Sequence, residues 1–316
     1  MEVFRIAGAL VVGLGVLVWS ADRFVDGAAA IARRLGMSQM LIGMLVVGFG
    51  TSLPEMIVSA TAALGDAPEL ALGNAIGSNI TNVCLILGVT ALINPILAKR
   101  SVVTYEIPVL LGTMVLFGCL AANGWISRWN AVVMLAAFGC LIWISVRRDA
   151  LGGAEEPVVK ELSLVRGSVY VVAGLGGLVL SSKLLVWGAI ALAKALGLSD
   201  LVIGLTIVAL GTSLPELASS VAAAWKGQHD IALGNVLGSN LFNLLCVIGI
   251  AGVLKPIRVI PAIFWRDVPT MALTTIFLWA MSAGFRGRQG RVNRKEGGVL
   301  LLVYVGYTYA LLRFPV

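Results

Sequence analysis

The chain has 316 residues, of which 59% are hydrophobic and only 12% are charged. Soluble globular domains carry about 25% charged residues, so this composition excludes an ordinary soluble protein. The net charge of +7 is compatible with a nucleic-acid partner, but the basic residues lie in short loops between apolar segments. Membrane orientation accounts for such loop charges. We therefore predict a membrane protein that contacts membrane lipid and binds no nucleic acid.

Apolar segments long enough to cross a bilayer recur along the chain, and the short alternating strands of a transmembrane barrel are absent from the sequence pattern. The predicted fold is an all-α polytopic membrane protein with ten transmembrane helices. These helices are predicted at about 4–33, 39–64, 69–93, 104–122, 129–146, 165–194, 200–224, 230–254, 267–284 and 297–313. They divide into a first five-helix repeat (1–146), a short cytoplasmic linker (147–164) and a second repeat (165–316). The linker is too short to form a soluble regulatory domain.

The two sets of helices are related by duplication. An offset of 161 residues aligns residues 36–96 with the second half without gaps, and 25 of the 61 positions are identical. The hexapeptide G-T-S-L-P-E occurs at Gly50–Glu55 and again at Gly211–Glu216. The tripeptide G-S-N likewise occurs at Gly77–Asn79 and at Gly238–Asn240. Shared apolar composition alone does not produce identities of this kind.

Loop charges predict how the two repeats insert into the membrane. Fourteen lysines and arginines lie on the side of the central linker and seven on the other side. This asymmetry places the linker in the cytoplasm and both termini outside the cytoplasmic membrane. Because each repeat has five helices, the second repeat must insert upside down relative to the first. Inverted repeats are typical of secondary transporters, in which the binding site lies at the midplane between them.

The repeated hexapeptide places two glutamates, Glu55 and Glu216, halfway along predicted membrane helices. A charge at the bilayer centre costs at least about 2.5 kcal/mol, so such residues mark functional sites. Each glutamate follows a proline, Pro54 or Pro215, which has no N–H to donate to the carbonyl four residues earlier. Exposed backbone at this depth is tolerated only where it lines a cavity. The pattern therefore predicts a polar cavity around both acids.

Neutral oxygen atoms accompany both glutamates. Hydroxyl side chains precede each acid by three and four residues, and hydroxyl and amide side chains recur every four residues on the next helix. The set comprises Thr51, Ser52, Asn74, Ser78 and Asn82, with Thr212, Ser213, Asn235, Ser239 and Asn243 in the second repeat. Ca2+ takes six to eight oxygen ligands, and two carboxylates balance its charge. Softer metals would favour Cys and His, so the pattern predicts a site for a hard cation.

The doubled motifs resemble the two alpha repeats of the Ca2+/cation antiporter superfamily, and most closely its compact prokaryotic sodium/calcium exchanger branch. The resemblance covers essentially the whole chain and implies that the first and sixth helices move during transport. It further implies that the transported ions bind to Glu55, Glu216, Thr51, Ser52, Thr212, Ser213, Ser78, Ser239 and Asn82, and to the backbone carbonyls of Gly48 and Ala209. Asn243 departs from those members that have Asp at this position, and its neutral amide reduces the negative charge of the site.

Together these patterns predict Na+/Ca2+ antiport by alternating access, with Ca2+ held between Glu55 and Glu216 and with no cofactor. The nearest alternative is H+/Ca2+ or other cation exchange, because adjacent carboxylates can also take up protons. A cation channel is less favoured, since inverted repeats around one midplane site are typical of carriers. The sequence contains no nucleophile–base pair and no His-rich metal motif, so we predict no enzymatic activity. It gives no indication of a protein partner.

Overall fold

The structure is a computed structural model that describes residues 2–65, 67–152, 162–195, 209–284 and 290–313. Its elements in chain order are α1 (Glu2–Leu35), α2 (Gln39–Thr51), α3 (Leu53–Leu64), α4 (Pro68–Ile93), β1 (Ile96–Ala98), α5 (Val102–Ala121), β2 (Trp125–Ile126), α6 (Arg128–Gly152), α7 (Leu164–Ala195), α8 (Ala209–Thr212), α9 (Leu214–Trp225), α10 (His229–Leu254), β3 (Ile257–Arg258), α11 (263–282), β4 (Gly290–Val292) and α12 (Arg294–Arg313). The described part of the chain is thus almost entirely helical, as predicted.

Six of the described helices are long and apolar enough to cross a membrane, namely α1, α4, α5, α6, α7 and α10. The bent pair of α2 and α3 makes a seventh span if the two helices are counted together. Large apolar side chains such as Val11, Trp143 and Val172 are exposed on these helices, where a soluble protein would present polar groups. A bilayer would cover these surfaces.

Among the helix ends that fall in described residues, the predicted positions lie within four residues of the observed ones, with one exception. The predicted end of the fifth helix at 146 is wrong, because α6 continues to Gly152 and so includes the first residues of the predicted linker. Contacts of the charged residues stabilise this extension: Asp149 accepts the backbone N–H of Ser38 at 2.9 Å, and the Arg148 guanidinium lies 3.5 Å from the Tyr105 ring centroid. Linker residues 153–161, and positions 200–208 of the predicted seventh helix, lie outside the described residues.

Helix α10 is buried along most of its length and packs closely against α2. Two glycines permit this approach: a Cβ atom on Gly234 would lie 2.6 Å from the Met40 carbonyl oxygen, and one on Gly238 would lie 2.6 Å from Met44 Cα. Residue numbers rise together along this contact, so the two helices run parallel. Small residues spaced by four are the usual means of such packing in membranes.

The two long helices α1 and α7 pack against each other antiparallel. A Cβ atom on Gly174 would lie 2.7 Å from the backbone nitrogen of Phe24, and one on Gly188 would lie 3.1 Å from a Leu10 methyl carbon. Residue numbers along this contact thus fall in α1 as they rise in α7, which makes the pair antiparallel. Helix α1 also contacts α2 and α9, so the pair lies beside the helices that carry the hexapeptides.

Two short antiparallel ribbons connect the halves of the chain. Strand β1 pairs with β4, with Ile96 opposite Val292, and β2 pairs with β3, with Ile126 opposite Ile257. At the offset of 161 residues, Ile257 of β3 is the counterpart of Ile96 of β1. Each ribbon therefore joins the segment after a long central helix of one half to the segment before the last helix of the other half. Strands of two or three residues are too short for a sequence pattern, and none was predicted.

Candidate ion-binding site

Both hexapeptides interrupt a helix. The break between α2 and α3 lies at Ser52, with φ −83° and ψ 3°, and the break between α8 and α9 lies at Ser213, with φ −90° and ψ 3°. At Ser52 the helix axis bends by 47°. The two breaks place Glu55 and Glu216 in the first turns of α3 and α9. The distortion expected from the prolines is therefore present in both hexapeptides.

One of the backbone carbonyls that proline leaves without an N–H donor accepts a hydrogen bond from another helix. Pro215 cannot donate to the Gly211 carbonyl, and the Ser182 hydroxyl of α7 donates to that oxygen at 2.5 Å. The first repeat has Ala21 at the position equivalent to Ser182, so this bond has no counterpart there. The sequence reasoning missed Ser182, because nothing local indicates which helix faces the released carbonyl.

The two glutamates are buried, with 1% of each exposed, and each receives a hydrogen bond from the other hexapeptide. The Ser52 hydroxyl donates to Glu216 Oε1 at 3.3 Å, and the Thr212 hydroxyl bonds the Glu55 carboxylate. The two motifs therefore face each other, although 161 residues separate them in sequence. Burying two carboxylates together is costly unless a positive charge balances them.

Thr51, Ser239 and the Gly48 carbonyl form a connected group beside the glutamates. Thr51 Oγ1 lies 3.1 Å from Asn235 Oδ1, 3.0 Å from the Val47 carbonyl oxygen and 3.5 Å from Ser239 Oγ. The Ser239 hydroxyl donates in turn to the Gly48 carbonyl at 3.4 Å. A hydroxyl has one proton to donate and two lone pairs. Each of these hydroxyls therefore retains an oxygen lone pair that can turn to a cation.

Two further asparagines hold the broken backbone in the same way in both halves. Asn235 Nδ2 donates to the Glu216 carbonyl at 3.1 Å and to Ser220 Oγ at 2.8 Å. In the first half Asn74 Nδ2 lies 3.5 Å from the Glu55 carbonyl and 3.1 Å from Ser59 Oγ. The serines were missed as part of the site, although their identity at the offset of 161 was a signal that could have found them.

Several buried oxygens of the predicted site have no hydrogen-bond partner within the described residues. They are Glu55 Oε2, Glu216 Oε2, Ser213 Oγ, Asn82 Oδ1 and Asn243 Oδ1. Leaving a buried polar atom unsatisfied costs about 1–3 kcal/mol, and more for a charged group. A hard cation would satisfy these oxygens together, so the donor set fits Ca2+ or Na+ as a substrate. Ser78 is buried on α4 and Ala209 begins α8, and the described contacts link neither residue to the glutamates.

The family model for the sodium/calcium exchanger protein matches residues 5–147 and 167–313. This chain belongs to the sodium/calcium exchanger family. It is 41% identical over 310 residues to the putative antiporter CaxA of Alkalimonas amylolytica, with 96% of this chain and 97% of the relative covered. It is 31% identical over 344 residues to the sodium/calcium exchanger MaX1 of Methanosarcina acetivorans, with coverage of 96% and 97%.

A solved structure extends the likeness to three dimensions. The sodium-calcium exchanger NCX_Mj, soaked with 2.5 mM Na+ and 0.1 mM Ca2+, matches with a TM-score of 0.83 at 32% identity. The match covers 98% of this chain and 99% of that one. These relatives are transporters, so the predicted family membership, the helical membrane fold and the absence of enzymatic activity are confirmed. The protein is an antiporter of the exchanger family.

Proposed function

We propose that this exchanger carries Ca2+ in one direction and Na+ in the other by alternating access, with both ions binding in turn between Glu55 and Glu216. The observation that carries the proposal is the pair of buried carboxylates, contributed by opposite halves of the chain, each with one oxygen unpartnered among the described residues. Their combined charge of about −2, when both are ionised, equals that of one Ca2+ or two Na+ with opposite sign.

The proposed ligands combine these carboxylates with neutral oxygens from both halves. They are the side chains of Glu55, Glu216, Thr51, Thr212, Ser52, Ser213, Ser78, Ser239, Asn82 and Asn243, with the backbone carbonyls of Gly48 and Ala209. Support comes from the connected hydroxyls at Thr51 and Ser239 and from the unpartnered oxygens at Asn82, Asn243 and Ser213. Asn243 contributes no charge, so the glutamates alone supply the negative charge of the site.

For the architecture we propose ten spans in two inverted repeats, with residues 1–146 and 165–316 as the repeats. Residues 147–164 are the linker, and its first residues continue α6 as far as Gly152. Two reciprocal features support a pseudo-twofold axis between the halves. Asn79 and Asn240, which are equivalent at the offset of 161, donate to each other's backbone carbonyls. The two ribbons are related in the same manner, because each pairs a strand of the first half with a strand of the second half. The loop charges favour a cytoplasmic linker with both termini outside.

Exchange, rather than leak, follows from the cost of moving uncompensated charge. Two bare carboxylates are strongly penalised at the membrane midplane, so the protein changes face only when bound cations neutralise them. The glycine-lined contact between α1 and α7 offers a smooth surface next to the site, and this pair is proposed as the moving element. The names of the relatives favour Na+ as the counter-ion. Protons can neutralise the same carboxylates, so H+ exchange is the alternative to be tested.

The test is 45Ca uptake into proteoliposomes with Na+, H+ and K+ gradients imposed separately. We expect the Na+ gradient alone to drive uptake, and Glu55→Gln or Glu216→Gln to abolish it. Glu69→Gln, the same substitution in the first turn of α4 and outside the site, serves as the matched control and retains uptake. Uptake driven by a pH gradient without Na+ would refute Na+ coupling. Full uptake by either site variant would refute the proposed ion site.

A further inference from the structure

Asn79 and Asn240 form a reciprocal pair where the two halves of the chain meet. Both residues are fully buried, and they occupy equivalent positions in α4 and α10. Asn79 Nδ2 donates to the backbone carbonyl of Asn240 at 3.2 Å, and Asn240 Nδ2 donates to the backbone carbonyl of Asn79 at 3.5 Å. The two asparagines are equivalent in this respect, because each side chain links its own helix to the other helix by one hydrogen bond.

The acceptor ends of the same two side chains differ. Asn240 Oδ1 accepts a hydrogen bond from Asn82 Nδ2 at 3.0 Å. The symmetric counterpart would run from Asn243 Nδ2 to Asn79 Oδ1, and within the described residues neither of those atoms has a hydrogen-bond partner. The pseudo-symmetry of the site is therefore broken at this bond, although all four residues are asparagine.

The bond at Asn82 determines the direction of its amide. A carboxamide has one donor end and one acceptor end on opposite sides. Because Asn240 engages the nitrogen of Asn82, the oxygen must point away from Asn240, and that oxygen is buried and unpartnered in the described structure. The π-helical turn Asn82–Ile86 packs against α9, the helix that carries Glu216. The Asn82 oxygen is thus oriented before any ion arrives.

The amide of Asn243 is not held in this way. It is fully buried, and neither its oxygen nor its nitrogen has a partner among the described residues. Asn243 is the second residue of a π-helical turn that begins at Phe242. This turn packs against α3, which carries Glu55. Asn82 and Asn243 are equivalent in sequence, but only one of them has its orientation fixed by the protein.

We propose that Asn240 is a positioning residue, which holds the Asn82 amide with its oxygen toward the bound cation, so that Asn82 is a fixed ligand and Asn243 an adjustable one. Fixing a ligand in advance removes the entropy cost of ordering it on binding. The adjustable amide can follow ions of different size or number through exchange. The proposal rests on the proposed function in one respect, since it takes Asn82 to be an ion ligand.

The pseudo-symmetry supplies a matched control for the test. Asn240→Ala and Asn79→Ala each remove one amide–carbonyl bond between α4 and α10, but only Asn240→Ala releases Asn82. We expect Asn240→Ala to raise the KM for Ca2+ roughly five-fold, as the loss of one hydrogen bond predicts. Asn79→Ala should leave the KM for Ca2+ within about two-fold of wild type, although it should lower Tm about as much as Asn240→Ala does. If Asn240→Ala does not accumulate, Asn240→Thr removes the same Oδ1 acceptor with a smaller change in volume.

A double variant separates positioning from packing. If Asn240 acts through Asn82, then Asn82→Ala with Asn240→Ala will have the KM of Asn82→Ala alone. Additive effects of the two changes on KM would overturn the proposal, as would equal KM shifts in Asn79→Ala and Asn240→Ala. An unchanged KM in Asn82→Ala would overturn it as well, because Asn240 would have no ligand to position. Failure of Na+ coupling can be distinguished from failure of this positioning role. If uptake is driven by H+ and not by Na+, the same KM ratios are measured on H+-driven uptake.

Discussion

The substitution Gly238→Ala tests whether the spacing of α2 and α10 determines ion binding. The added Cβ would lie 2.6 Å from both the Cα and the carbonyl oxygen of Met44, which are backbone atoms and cannot rotate away. Carbon atoms pack at about 3.5–4.0 Å, so the helices must separate locally by about 1 Å. Overpacking of this kind costs about 1–3 kcal/mol of stability.

The same displacement reaches the ion site, because Gly238 precedes Ser239. The Ser239 hydroxyl lies 3.4 Å from the Gly48 carbonyl, and Thr51 Oγ1 lies 3.1 Å from Asn235 Oδ1 across the same two helices. A separation of about 1 Å lengthens both contacts to more than about 4 Å, beyond the range of a hydrogen bond. Because Thr51 and Ser239 are proposed ligands, the same displacement misplaces their oxygens relative to the ion. At about 1 kcal/mol for each lost ligand contact, this predicts a rise in the KM for Ca2+ of roughly ten-fold or more.

The assay is 45Ca uptake over a range of Ca2+ concentrations, with the Tm of the purified protein measured in parallel. Gly118→Ala on α5 is the control, since within the described residues nothing lies within 4 Å of the atom it adds. We expect a wild-type KM for that control and a Tm at or slightly above that of wild type, since Ala is the better helix former. If Gly238→Ala keeps the wild-type KM while its Tm falls, the spacing of these helices does not set the ligand geometry and the reasoning is refuted.

Two further substitutions test contacts between distant elements. Lys226→Met should lower Tm and accelerate exchange of α1 amide hydrogens. Lys226 Nζ lies 2.7 Å from both Asp22 and Asp26, and its removal takes a shared cation away from two neighbouring acids. Adding Asp26→Asn should restore part of the loss, and no restoration would contradict the pairing. Ser182→Ala should lower the free energy of unfolding by about 1–3 kcal/mol, because the Gly211 carbonyl loses its hydrogen bond. Ser181→Ala should cost less, since Ser181 bonds carbonyls of its own helix. Equal Tm values for the two variants would refute this distinction.

Duplication made the centre of the site predictable. Two copies of one hexapeptide with an acid at membrane depth require a compensating partner, and this reasoning led to Glu55, Glu216 and the hydroxyls beside them. Apart from the end of the fifth helix, the predicted helices were also close to the observed ones within the described residues, because long apolar segments let hydropathy define helix ends. The prolines predicted distorted backbone before each glutamate, and the structure places the resulting breaks at Ser52 and Ser213.

What the sequence did not predict are contacts between positions that the duplication does not relate. Ser182 bonds a carbonyl on another helix, and Lys226 pairs with acids of α1, although neither has an equivalent partner in the other half. The difference between Asn82 and Asn243 also escaped prediction, because identical residues at equivalent positions give identical patterns. The hydrogen bond from Asn82 to Asn240, which joins α4 to α10, distinguishes the surroundings of the two amides.

The exchanged ribbons bear on how this chain is completed during synthesis. Strand β1 ends at Ala98, and its partner β4 begins only at Gly290, so about three fifths of the chain is translated between them. At about 5–20 residues per second, the ribosome takes roughly 10–40 s to cover that distance. During this interval the first half cannot form its ribbon. A chain truncated before residue 290 would leave that strand edge open, so the ribbon distinguishes a finished transporter from an unfinished one.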